Sequence, residues 1–163
     1  MKNVIICDLD GTLANCDHRR HLVEKFHPDG TKNKKRDYEA FYMACDKDGV
    51  HQHVWALLYN MVNTKFRECR NEVIFVTGRP ERTRLVTELW IANNVGFSTY
   101  DMYFTLYMRP DGDTRPDYVV KQEILDTKLD KDRILFCLDD RQQVVDMWRA
   151  NGLVCMQVAK GDF

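Results

Sequence analysis

A chain of 163 residues suits one domain with a substantial core and a small insertion, and it is too short for two full catalytic domains. With 44% apolar and 30% charged residues it lies well away from the composition of disordered chains, and a net charge of −1 excludes a globally basic nucleic-acid binder. No apolar run is long enough for a membrane span or a secretory signal, which predicts a cytoplasmic protein with no membrane attachment.

The first apolar run, Val4-Ile5-Ile6-Cys7, predicts a strand over 4–8 that ends in the carboxylates Asp8 and Asp10, with Gly11 beyond them for a turn. A long polar segment follows, about 15–50. Between positions 17 and 36 it carries Arg19, Arg20, Lys25, Lys32, Lys34, Lys35 and Arg36 against Asp17, Glu24 and Asp29, a local charge of +4. That is longer than an ordinary connection, and Phe26, Tyr38, Phe41 and Tyr42 give it enough apolar surface to pack as a small helical cap over the site.

Helical spacing of Val54, Leu57, Leu58, Met61 and Val62 predicts a helix, followed by a strand over 72–77 that ends in Thr77-Gly78-Arg79. Leu85, Val86, Leu89 and Trp90 predict a second helix, with Pro80 suiting its first turn. A strand over 101–107, a helix opened near Pro116-Asp117 and carrying Lys121, and a strand over 133–138 running into Asp139-Asp140-Arg141 come next. Val144, Val145 and Trp148 mark a last helix with Gly152 as its cap, before a strand over 153–158. Alternation of this kind predicts an α/β fold with a Rossmann-like, five-stranded parallel sheet, in one domain over 1–163. The six cysteines form no Cys-x-x-Cys pair and read as reduced thiols, and the i, i+3 pair His18/His21 lacks further zinc ligands at a recognisable spacing.

In extended backbone Asp8 and Asp10 point to one side, into the crevice beyond the carboxyl ends of the strands where open α/β sheets bind ligands. A carboxylate attacks phosphorus to give a mixed anhydride that water can hydrolyse, and a second acid can protonate the leaving oxygen. Two anions meeting a phosphate require a metal, and magnesium accepts such hard oxygen ligands. Asp-x-Asp alone also fits a turn or a helix cap.

The full string Asp8-Leu9-Asp10-Gly11-Thr12-Leu13, with Thr77-Gly78-Arg79, Lys121 and Asp139-Asp140 in order at successive strand or helix ends, resembles the haloacid dehalogenase superfamily of phosphotransferases. The resemblance implies Asp8 as nucleophile, Asp10 as acid/base, Thr77, Gly78 and Lys121 at the phosphoryl group, and Mg2+ held by Asp8, Asp10, Asp139 and Asp140. The second half, from Gly112-Asp113-Thr114-Arg115 through Asp139-Asp140-Arg141-Gln142-Gln143 to Lys160-Gly161-Asp162-Phe163, is similar to the phosphatase domain of bacteriophage polynucleotide kinase/3′-phosphatases. That similarity adds Arg19 and Arg79 as substrate-binding residues and implies nucleic-acid 3′-phosphate ends, single-stranded DNA or RNA, as partners. No Gly-x-x-x-x-Gly-Lys-Ser/Thr loop occurs, so no 5′-kinase is implied. A mononucleotide or small phosphate-ester phosphatase and a non-catalytic end-binding module stay open beside this reading, as does the oligomeric state.

Overall fold

The computed structural model describes residues 3–63, 71–96 and 104–161. In chain order the elements are β1 (Val4–Cys7), β2 (Ala14–Asn15), α1 (Asp17–Arg20), α2 (Tyr38–Met43), β3 (Gly49–Val50), α3 (Gln52–Asn63), β4 (Glu72–Pro80), α4 (Arg84–Val95), β5 (Phe104–Arg109), α5 (Asp117–Lys128), β6 (Ile134–Asp139), α6 (Gln142–Ala150) and β7 (Cys155–Gln157). The five-stranded sheet has the order β5-β4-β1-β6-β7 and every pairing in it is parallel. The sheet class expected from the sequence is therefore the one observed.

Alternation along the strands explains the layers. Ile5, Cys7, Val73 and Phe75 face one way and pack with Val54 and Leu58 of α3 and Trp90 and Ile91 of α4. Val4, Ile6, Ile74 and Val76 face the other way and pack with Val120 and Ile124 of α5 and Val144, Val145 and Trp148 of α6. Because β1 is central and the chain leaves it toward β4 on one side and reaches β6 on the other, its carboxyl end is the switch point of the sheet. Asp8 emerges there.

The segment after β1, hereafter the cap, has a small core of its own from Cys16, Val23 and Phe41. It is less helical than expected: α1 and α2 are short, and its two ends are tied by an antiparallel ribbon in which Ala14 faces Val50 and Asn15 faces Gly49. Pro80 departs from the sequence reading. It ends β4, whose pairing with β5 breaks register between Val76 and Pro80, and α4 starts at Arg84 after a single 3-10 turn. The irregularity lets Thr77-Gly78-Arg79 leave the regular ladder beside the switch point, as bulges near functional sites commonly do. The start of the expected strand over 101–107 lies outside the described residues, and β5 runs on to Arg109. Gly152, with φ +78°, follows the end of α6 as anticipated.

Candidate active site

β1 delivers Asp8 in register with β6, its amide donating to the Leu138 carbonyl at 3.0 Å. β6 delivers Asp139 and then Asp140. Asp8, Asp139 and Asp140 are buried, and each offers an oxygen within 4.8 Å of the others. The chain turns away at Gly11, whose φ of +87° suits glycine, and a Cβ there would sit 2.3 Å from Asp140 Oδ2. Gly161 closes on the same carboxylate from the other end of the chain, its hypothetical Cβ 2.1 Å from Asp140 Oδ2.

From α5, one turn after Asp117, Lys121 Nζ donates to Asp8 Oδ1 at 2.7 Å and to Asp139 Oδ2 at 2.9 Å, with Asp117 Oδ2 at 3.4 Å. Burial pushes all three carboxyls of the trio up, Asp140 to about 6, with neighbouring carboxylates adding to the effect and Lys121 opposing it. Burial disfavours the Lys121 charge too, yet Asp117, Asp139 and Asp8 raise its pKa and keep it cationic. Hard oxygen donors with a surplus of negative charge fit a divalent cation such as magnesium; thiolate and imidazole, which zinc prefers, are absent from the trio.

Asp10, expected among the metal ligands, does not join the trio. Its Oδ1 accepts from Arg19 Nη2 at 2.6 Å, from Arg79 Nη2 at 2.6 Å and from Arg79 Nε at 3.0 Å. Burial alone would raise this carboxyl, but the Arg79 and Arg19 guanidiniums outweigh it and hold Asp10 at about 2. The two arginines, expected at the substrate, are themselves buried, at 1% and 0% exposure. Both also serve Asp48, a residue the sequence did not single out: Arg19 reaches it through Nε and Nη2 at 2.7 and 2.6 Å, Arg79 through Nη2 at 2.7 Å. His18 Nε2 lies 3.0 Å from Asp48 Oδ1, and Trp90 Nε1 donates to the Asp48 carbonyl at 2.7 Å. The result is a buried, charge-balanced quartet of two carboxylates and two guanidiniums.

Above the two aspartates opens a cavity of about 490 Å³. The cap lines one side with Val23, Tyr38, Phe41 and Tyr42; the β5–α5 loop lines the other from Pro110 to Pro116, and Arg82, Arg109, Arg115 and Arg141 supply positive charge around it. Gly78 lines the cavity, whereas Thr77 is fully buried and its hydroxyl accepts from the Arg79 amide at 3.2 Å. Asp117 is a second residue that sequence reasoning missed. It pairs with Arg109 at 3.1 Å and packs so closely on Gly78 that a Cβ there would meet Asp117 Oδ1 at 2.5 Å. Its signal was the i, i+4 spacing to Lys121; Asp48 offered none. Among the described residues all five cysteines are free and buried, and Cys69 falls outside them.

A model of the family described as the polynucleotide kinase PNKP phosphatase domain matches residues 26–163. A putative bifunctional polynucleotide kinase/RNA ligase of Autographa californica nuclear polyhedrosis virus is 26% identical over 147 residues, covering 89% of this chain and 17% of that protein. Two solved structures are similar at 31% identity. One is described as the Pnkp1/Rnl/Hen1 RNA repair complex, with a TM-score of 0.69 over 98% of this chain and 43% of its counterpart. The other, of a Pnkp1/Rnl/Hen1 complex, has a TM-score of 0.71 over 99% of this chain and 48% of its counterpart. The chain thus spans less than half the length of each of these relatives.

Proposed function

This chain belongs to the family of polynucleotide kinase phosphatase domains, and from that premise we propose that it is a magnesium-dependent polynucleotide 3′-phosphatase acting in nucleic-acid end repair through an aspartyl-phosphate at Asp8. The observation that carries the reading is the position of Asp8: at the switch point of the sheet, on the cavity, with Lys121 2.7 Å from one oxygen and Asp139 and Asp140 beside it.

An Asp8 oxygen attacks phosphorus, the bond from phosphorus to the 3′ oxygen breaks, and Asp10 gives that oxygen its proton. Water then attacks the aspartyl-phosphate, passes a proton to Asp10 and releases inorganic phosphate, restoring Asp8. Proton transfer by a placed carboxyl contributes roughly 10²–10⁴ to such rates. Lys121 holds Asp8 and offsets charge on the transferring group. When bound, magnesium held by Asp8, Asp139 and Asp140 would offset the repulsion between carboxylate and phosphate.

The state of Asp10 orders the cycle. With both guanidiniums on Oδ1 it is an anion, ready to take the proton of the attacking water. To act first as an acid it must lose part of that clamp. Arg19 and Arg79 are buried and do not line the cavity, so a phosphate anion entering beside Asp10 acts on it by like charge, opposing the clamp and letting Asp10 hold a proton. The arginines act on the substrate through Asp10 rather than by direct contact.

The test is a panel of 3′-phosphorylated and 5′-phosphorylated oligonucleotides and 3′- and 5′-mononucleotides, with magnesium or with chelator. The expected result is magnesium-dependent release of phosphate from oligonucleotide 3′ ends, lost in Asp8→Asn. Equal turnover of free mononucleotides would overturn the polynucleotide assignment, and binding of ends without hydrolysis of any ester would leave an end-binding module.

A further inference from the structure

The cavity above Asp8 is far larger than a phosphoryl group, and at about 490 Å³ it falls in the range of sites for whole small molecules. Its cap wall is aromatic. Tyr38 and Tyr42 stand one turn apart on α2, so they share a helical face, with ring centroids 6.4 Å apart. Tyr42 is braced from behind: Phe41 meets it edge-on at 5.5 Å, and the Arg19 guanidinium lies 4.0 Å from the centre of the Phe41 ring. Tyr38 is farther out and 48% exposed. Beyond it Arg36 lies 5.8 Å over the Tyr38 ring and donates to its hydroxyl at 3.2 Å.

The charge continues outward. Lys34, Lys35 and Arg36 are exposed, and among the described residues no acid pairs with Lys34 or Lys35. From the carboxylates through Tyr42 and Tyr38 and back along the chain to Lys34, the order is therefore a phosphoryl-transfer centre, a braced aromatic, an open aromatic, and a run of cations. A ligand that matches it carries a terminal phosphate, successive flat π-faces and a charged backbone.

Resting on the assignment above, we infer that α2 is a stacking rail for an unpaired 3′ end, with the base of the terminal nucleotide on Tyr42 and the base before it on Tyr38. The strand then leaves along Lys34, Lys35 and Arg36. A base already paired in a duplex cannot also lie flat on these rings inside the cavity, so the rail selects overhangs of at least two nucleotides. Stacking on an aromatic ring contributes about 1–3 kcal/mol per base, which converts to roughly 5- to 150-fold in binding.

The experiment measures kcat/KM with the full chain and magnesium on substrates that share one terminal nucleotide: the 3′-mononucleotide, the 3′-phosphorylated dinucleotide, and that dinucleotide made abasic at its first position. 4-Nitrophenyl phosphate serves as the reference ester. The expected result is a gain of about 10-fold from mononucleotide to dinucleotide, lost with the abasic substrate and lost in Tyr38→Ala, and retained in Tyr38→Phe. Because the Tyr38 ring is largely open to solvent, the Phe variant reports on stacking with the fold intact. A gain that survives both Tyr38→Ala and the abasic substrate overturns the rail alone. Cleavage of 4-nitrophenyl phosphate with no cleavage of any 3′-phosphorylated oligonucleotide overturns the substrate assignment and the rail with it.

Discussion

Asp48→Asn is the sharpest probe of the quartet, because it changes charge while keeping shape. Asp48 is fully buried and receives three guanidinium hydrogen bonds of 2.6 to 2.7 Å from two side chains that are themselves buried. Neutralising it leaves Arg19 and Arg79 sharing the single carboxylate of Asp10, an excess positive charge inside the protein. Removing one partner of a buried ion pair costs about 3–5 kcal/mol. Against the 5–15 kcal/mol that typically separates folded from unfolded domains, that is a large fraction. With a urea slope of about 2 kcal/mol per molar, the unfolding midpoint should fall by about 2 M. Far-UV circular dichroism in urea reads this directly. Removing a guanidinium as well, in Asp48→Asn with Arg19→Met, rebalances the charge and should recover a large part of the loss. If Asp48→Asn unfolds within about 1 kcal/mol of the parent, the quartet is not a mutually dependent charge cluster and the reasoning fails.

Gly78→Ala would drive a Cβ to 2.5 Å from Asp117 Oδ1, displacing a carboxylate that contacts Lys121 and Arg109; a loss of about 10²-fold in kcat with little change in melting temperature is expected in a steady-state assay. The Asp140 carboxyl titrates near 6 when folded against 3.8 as its reference, so the folded state binds its proton more tightly. On this account the stability of the metal-free protein falls as pH rises from about 4 to about 6, and the stabilisation by magnesium grows over the same window; melting curves with magnesium and with chelator at several pH values check both signs. Charge reversal at Lys34, Lys35 and Arg36 should weaken oligonucleotide binding and flatten its salt dependence by about 0.7 per lost phosphate contact, as measured by titration at several salt concentrations.

Much of this was legible in the chain itself because it is written locally. A strand that ends in Asp8-x-Asp10-Gly11, and a helix and strand that present Lys121 and Asp139-Asp140, carry their signals within a few residues, and the sheet brings them together at one edge. Residues that matter through distant contacts were silent. Asp48 meets arginines 29 and 31 positions away, and nothing around Lys47-Asp48-Gly49 announces a buried carboxylate. Asp117 was visible as a helix opener four residues before Lys121, but its fit against Gly78 depends on how β4 breaks register. Pro80 shows a local preference overruled: its φ of −72° suits a helix start, but its ψ of 152° and the pairing of β4 with β5 keep it in the strand.

The two-residue ribbon of β2 and β3 makes the cap a cassette with a single doorway: the chain enters at Asn15 and returns at Gly49, directly opposite. Such a cassette can lengthen or shorten at small entropic cost, since loop closure depends only weakly on length, and the sheet beneath need not register the change. Yet this one holds Arg19 and Asp48, half of the quartet that grips Asp10. Under the proposed mechanism, a transplanted cap would therefore carry both the grip on Asp10 and one wall of the cavity. On that proposal, a graft that alters which ends are accepted would also alter how the leaving group is protonated.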